Sequence, residues 1–159
     1  MKISFDLDEV LFVDPNTFEI EDPPRFPLDR IYRERLRKGT VRLIHTLQEE
    51  EFEAWVYTSS FRTELYIRTL FRAYGIRFDQ IVNGYRHQEE VQGNRKQVLP
   101  QKMPNFYHIS LHIDDEKSVE RNGKTYGFRT LRVFEPDEHW TEKILKEANR
   151  IRSMEEKQA

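Results

Sequence analysis

The 159 residues predict an α/β domain, a three-layer α/β/α sandwich around a mainly parallel, Rossmann-like sheet of about five strands. Three observations predict it. Short apolar runs alternate with stretches of three-to-four-residue apolar spacing, the pattern of strands joined by crossover helices. A hydrophobic share of 37%, with 13% aromatic, supports a real core despite 34% charged residues, and the length suits one domain rather than two. Two acidic pairs, Asp6/Asp8 and Asp114/Asp115, fall at the ends of apolar runs, and open α/β sheets bind ligands beyond the carboxyl ends of their strands.

Residues 2–6 (KISFD) open the chain as a short buried strand. In 11–20 (LFVDPNTFEI), two apolar arms around Pro15-Asn16 predict a small hairpin, and the prolines of 22–27 require a loop. Leu28, Ile31, Tyr32 and Leu36 recur at helical spacing. Val41, Ile44 and Leu47 do so again after Gly39, with Thr40 as the expected N-cap. AWVY (54–57) is the second strand, followed by a helix over about 61–74 (Phe61, Leu65, Leu70, Phe71, Tyr74) that Gly75 stops. Residues 79–83 form a third strand, and the polar stretch 84–105 reads as loop with at most a short helix. YHISLHID (107–114) is a fourth strand and FRTLRVF (128–134) a fifth. A final amphipathic helix over about 139–154 carries Trp140, Ile144, Ala148 and Ile151. Residues 1–154 thus read as a single domain, and 155–159 as a polar tail.

Net charge is −2, from 26 basic and 28 acidic residues, so global charge does not indicate nucleic acid or an anionic membrane as a partner. With no cysteine, disulfides, zinc–thiolate sites, iron–sulfur clusters and cysteine nucleophiles are excluded. Two aspartates interrupt the apolar start MKISFDLDEVLF, which is not the pattern of a signal peptide. No 18-residue apolar stretch occurs, so no membrane partner is expected. The expectation is a cytoplasmic protein.

Asp6 lies inside ISFDLDEVLF, flanked by apolar residues on both sides, so its carboxylate needs a cation or hydrogen-bonding partners. Asp114-Asp115 repeats the situation, and a hard cation with oxygen ligands relieves the repulsion between adjacent carboxylates. Mg²⁺ is the natural candidate, and ordinary surface turns are the alternative. Thr58-Ser59-Ser60 follows the second strand, where hydroxyls and the N–H groups of a helix start suit a phosphoryl oxygen. An N-cap for the following helix is the other reading. Lys96 and Lys102 precede the fourth strand, and an ammonium there offsets anionic charge. The histidines, His108 and His112 included, read as ordinary sheet or surface residues, and Arg30, Arg33 and Arg37 as a solvated helix face.

The order Asp-x-Asp, Thr, Lys, Asp-Asp resembles the haloacid-dehalogenase-like (HAD-like) superfamily of phosphohydrolases. FDLDEVLF looks like its first motif, VYTS like its second and HIDDE like its fourth, and the likeness runs from Met1 to about Phe134. The resemblance implies that Asp6 is the nucleophile of an aspartyl-phosphate mechanism and that Asp8 is the general acid and then base. Thr58, Ser59 and a lysine would bind the phosphoryl group. Mg²⁺ would be held by Asp6, the Asp8 carbonyl, Asp114 and Asp115. The implied activity is that of a Mg²⁺-dependent phosphomonoester hydrolase, with the 11–20 hairpin as a flap. Lys96, 18 residues before Asp114, is preferred over Lys102, 12 before it, because the longer gap leaves room for a helical turn and the strand. Glu9-Val10 departs from the commoner Gly-Thr. Neither 12–27 nor 84–95 is long enough for a cap domain with its own core, so a capless site is expected, open to macromolecular as well as small phosphorylated substrates. A receiver domain would place its acidic pair first, and no Gly-Lys-Ser/Thr loop for nucleotide phosphates is present. The alternative function is a catalytically idle binding or regulatory module on the same fold.

Overall fold

The computed structural model describes all of residues 1–159. Five strands, β1 (Lys2–Phe5), β2 (Glu53–Tyr57), β3 (Gln80–Val82), β4 (Leu111–Asp114) and β5 (Thr130–Arg132), form one parallel sheet in the order β3-β2-β1-β4-β5. The first strand is therefore central, and the carboxyl ends of β2, β1 and β4 lie side by side. The chain leaves β1 toward β2 and later returns to its other edge, which makes this a topological switch point.

Alternation along the strands sorts side chains onto two faces. On one, Ile3, Phe5, Val56, Leu111 and Ile113 pack with buried residues of α2 (Thr40–Glu49), α3 (Glu64–Ala73) and α6 (Trp140–Gln158). On the other, Trp55, Tyr57 and Val82 pack with Val91, Tyr107 and Ile109. These last come from the segment that holds α4 (Gly84–His87), a π-helical turn (Gln88–Gln92) and a 3₁₀ turn (Pro104–Tyr107). Ser4 pairs in register with both Trp55 and His112, so Ser4, Asp6, His112 and Asp114 share this second face.

Five expectations are corrected. The arms of 11–20 do not pair with each other. Residues 35–38 insert between them: Val13 and Glu21 donate to the Arg35 and Leu36 carbonyls, and Arg37 and Lys38 donate to those of Leu11 and Glu19. The helix expected through Leu36 accordingly shrinks to α1 (Leu28–Ile31), whose Asp29 carbonyl, with that of Tyr32 just beyond, accepts from the Arg35 guanidinium. A helix over Lys117–Tyr126, α5, was not expected, because it buries only Val119 and Gly123 and shows no apolar stripe. Finally, α6 continues through the expected polar tail to Gln158. The N-cap of α2 is Gly39, at φ +98°, one residue ahead of the expected Thr40; the Thr40 hydroxyl instead donates to the Arg37 carbonyl.

Candidate active site

The centre of the site is a buried ion cluster. Asp6 follows β1 and Asp114 ends β4, on the same face of neighbouring strands, so two carboxylates meet with almost no access to water. Between them lies the Lys102 ammonium, 3.1 Å from Asp6 Oδ1 and 2.6 Å from Asp114 Oδ2. Isolated charges at this depth would be strongly destabilised, and the cluster persists because each charge has an opposite neighbour. Asp6 Oδ1 also accepts from the Leu7 amide, and Asp114 Oδ1 from the Glu116 amide. Asp115 stands at the edge of the cluster, its backbone carbonyl held by the Arg132 guanidinium. Carboxylate oxygens of Asp6, Asp114 and Asp115 lie within 4.8 Å of one another.

Burial raises the Asp6 carboxyl to about 7; Lys102 opposes the rise and Asp114 adds to it. Burial would lift Asp114 as well, but His112 and Lys102 hold it below the usual carboxylate range. Asp115 is raised to about 6, by burial first and then by Asp114. Burial works against the Lys102 ammonium, and the two carboxylates more than compensate, so its pKa rises.

Two polar relays beneath the cluster position it. His112 is fully buried on β4, with Nε2 at 2.8 Å from Asp114 Oδ2 and Nδ1 at 2.7 Å from the Ser4 hydroxyl. Since the carboxylate accepts, Nε2 carries the proton and Nδ1 accepts from Ser4. Burial lowers the pKa of this ring and keeps it neutral. The second relay holds the lysine loop. The Tyr57 hydroxyl donates to His87 Nδ1 at 2.6 Å and accepts from the Met103 amide at 3.0 Å, next to Lys102.

Thr58 is buried at the end of β2, where its hydroxyl donates to Ser60 Oγ and accepts from the Ser60 amide. The N-cap of α3 is Thr63, which frees Thr58 and Ser59 from the capping role that was the alternative for them. Ser59 and Lys102 line one cavity of about 280 Å³ with Glu116 and Ser118. At Gly84, a Cβ would lie 2.8 Å from the Ser59 carbonyl, so only glycine lets α4 approach this loop so closely.

Of the two candidate lysines, the one preferred from spacing is not the one that lies beside the carboxylates. Lys96 is exposed in the loop after the π-helical turn and joins no ion pair, whereas Lys102 occupies the cluster. The compact 3₁₀ turn at Pro104–Tyr107 lets twelve residues span from the cluster to the end of β4. The Asp8 carboxylate, for which the resemblance implies proton transfer rather than metal binding, lies apart from the other three and takes a two-pronged contact from Arg62, with both N···O distances 2.9 Å. Glu9 takes the left-handed conformation, φ +64°, at the position where glycine is commoner in the family it resembles. His108 lies outside β4 in a left-handed turn, so it shares no strand with His112. Sequence reasoning missed His112, Ser4, Tyr57, His87 and Arg62. For the first two a signal was present, since Ser4 and His112 stand two residues before Asp6 and Asp114 on the same strand faces.

No protein-family model and no curated protein matches the chain. Among solved structures, the chain is similar to a protein described as a predicted HAD-like family hydrolase from Porphyromonas gingivalis. The match has a TM-score of 0.54 and 15% identity, and it covers 94% of this chain and 97% of that one. The fold is HAD-like. In that fold, the Asp6–Lys102–Asp114 cluster lies at the switch point, at the carboxyl ends of the central strands.

Proposed function

We propose that the chain is a Mg²⁺-dependent phosphomonoester hydrolase that works through an aspartyl-phosphate on Asp6. The observation that carries this reading is the buried lysine joining Asp6 to Asp114 inside a three-carboxylate cluster at the switch point. A carboxylate pair built only for stability would be costly to bury there.

The donor set fits a hard divalent cation, since it offers carboxylate oxygens and no sulfur or free imidazole. Asp6, Asp114 and Asp115 would hold Mg²⁺, with the Asp8 carbonyl, and the ion would neutralise charge on the phosphoryl oxygens. An Asp6 carboxylate oxygen attacks phosphorus as the P–O ester bond breaks, and Asp8 gives its proton to the departing oxygen. Asp8 then takes a proton from water, whose oxygen attacks the acyl phosphate, releasing inorganic phosphate and restoring Asp6. Lys102, held by two carboxylates, keeps its charge through both steps and faces the phosphoryl group, with Thr58 and Ser59 as hydroxyl donors. His112 and Ser4 fix the orientation of Asp114.

The experiment is hydrolysis of an aryl phosphate by purified protein with Mg²⁺ or with EDTA, beside the Asp6→Asn variant. Activity is expected only with the metal, and Asp6→Asn is expected to be inactive while folded. Turnover by Asp6→Asn at the wild-type rate would overturn the reading.

A further inference from the structure

The Arg62 guanidinium is held at the mouth of the site by the residue assigned to proton transfer. Its two terminal nitrogens engage both oxygens of Asp8, Nη1 also donates to Ser60 Oγ, and Nε faces Glu34 at 3.4 Å. The Arg62 carbonyl is pinned by the Asn83 amide, the guanidinium lies 5.2 Å from the Phe12 ring centre, and Tyr66 fixes Glu34 through a 2.6 Å hydrogen bond. The backbone is thus tied down and the charged fork preset. Yet Asp8 is 55% exposed and Arg62 25% exposed, so a dissolved anion can reach the pair. A planar fork that grips its own carboxylate in two-pronged fashion presents the geometry that recognises a ligand carboxylate or phosphate.

Resting on the phosphohydrolase reading, we propose that Arg62 sets specificity, selecting phosphomonoesters whose leaving group carries a second anionic group, a carboxylate or another phosphate. Asp8 serves the departing oxygen, so its two-pronged partner Arg62 is assigned to the leaving-group side, one Ser60 hydroxyl removed from Thr58. A second anion roughly 6 Å from the ester oxygen, about two hydrogen-bond lengths, would take over the fork. Asp8, released from Arg62, is then free to turn to the ester oxygen. Esters without that anion leave Asp8 clamped and are poor substrates. Glu34 remains as the second counter-charge and tempers the fork's attraction for anions.

The test compares phenyl phosphate with its carboxymethyl-substituted counterpart in wild type, Arg62→Met, Glu34→Gln and Asp6→Asn. The readout is kcat/KM for the carboxymethyl ester divided by that for phenyl phosphate, a ratio that cancels differences in folded fraction between variants. Arg62→Met is expected to lower the ratio by about tenfold to a hundredfold, the worth of a charge-assisted pair. Glu34→Gln, which keeps the fork and removes a counter-charge, is expected to lower KM for the carboxylate ester several-fold and to raise the ratio. An Arg62→Met ratio equal to wild type, with Asp6→Asn inactive, would overturn the role of Arg62 and leave the phosphatase reading standing. An active Asp6→Asn, or a wild type inert toward both esters, would sink both.

Discussion

At the scale of single residues, the ammonium of Lys102 neutralises two carboxylates that water scarcely reaches. Its replacement should therefore act on chemistry and on folding together. Lys102→Ala is expected to lose about 10²–10³ in kcat, by analogy with one oxyanion donor. It should also lower Tm, because two buried carboxylates are left without their cation. Lys96→Ala, exposed and outside the cluster, should match wild type in both. Steady-state kinetics and thermal unfolding of the two variants check this, and the reverse pattern would return the role to Lys96. Asp6, Asp8, Thr58 and the acidic pair were legible because their types and order are unusual. The choice of lysine was not, since spacing along the chain does not report how tightly the intervening residues turn.

At the scale of elements, the relay from His87 through Tyr57 to the Met103 amide ties α4 to the lysine loop across β2. Burial lowers the His87 pKa below its ordinary 6.5, so the folded protein holds the ring neutral. As pH falls below about 6.5, the unfolded chain takes up a proton that the folded one refuses. This contribution to stability is complete above that pH and is lost as pH drops through the lowered folded value. Urea unfolding between pH 7.5 and 5 should show it, and in His87→Gln the acid slope should be shallower by up to about 1.4 kcal/mol per pH unit. Equal slopes would show that the ring does not titrate differently on folding. The same scale explains the elements that were misread. Leu36 follows helical spacing from Leu28, but its burial comes from insertion between 11–13 and 19–21. The α5 helix docks through Gly123, where a Cβ would sit 2.6 Å from the Phe128 carbonyl, and so needs no apolar stripe.

At the scale of the whole molecule, one apolar core supports the sheet from the side of α2, α3 and α6, while the polar cluster lies on the opposite face. The end of α6 adds little to that core. Ile151 is its last buried residue, and beyond Met154 Glu155 contacts Arg129 and Ser110. Truncation after Met154 should therefore cost less than about 1 kcal/mol, the range of an exposed ion pair. Denaturant unfolding of the shortened chain measures it, and a loss of several kcal/mol would mean that the last turn of α6 carries packing. The extension to Gln158 is thus helix by continuation of a hydrogen-bonded ladder rather than by burial.

By itself, the sequence determined the α/β class, the strands that form the sheet and the acidic residues at their ends, because periodicity and residue type are local properties. The tertiary structure alone decided which lysine enters the cluster, that His112 and Ser4 steady Asp114, that residues 35–38 split the expected hairpin and that Arg62 grips Asp8. Each of these depends on segments far apart in the chain meeting in space. Arg62 and Asp8 are 54 residues apart, and Ser4 and His112 are 108 apart. No spacing rule reaches so far, because the meeting is set by the strand order β3-β2-β1-β4-β5 rather than by neighbouring residues.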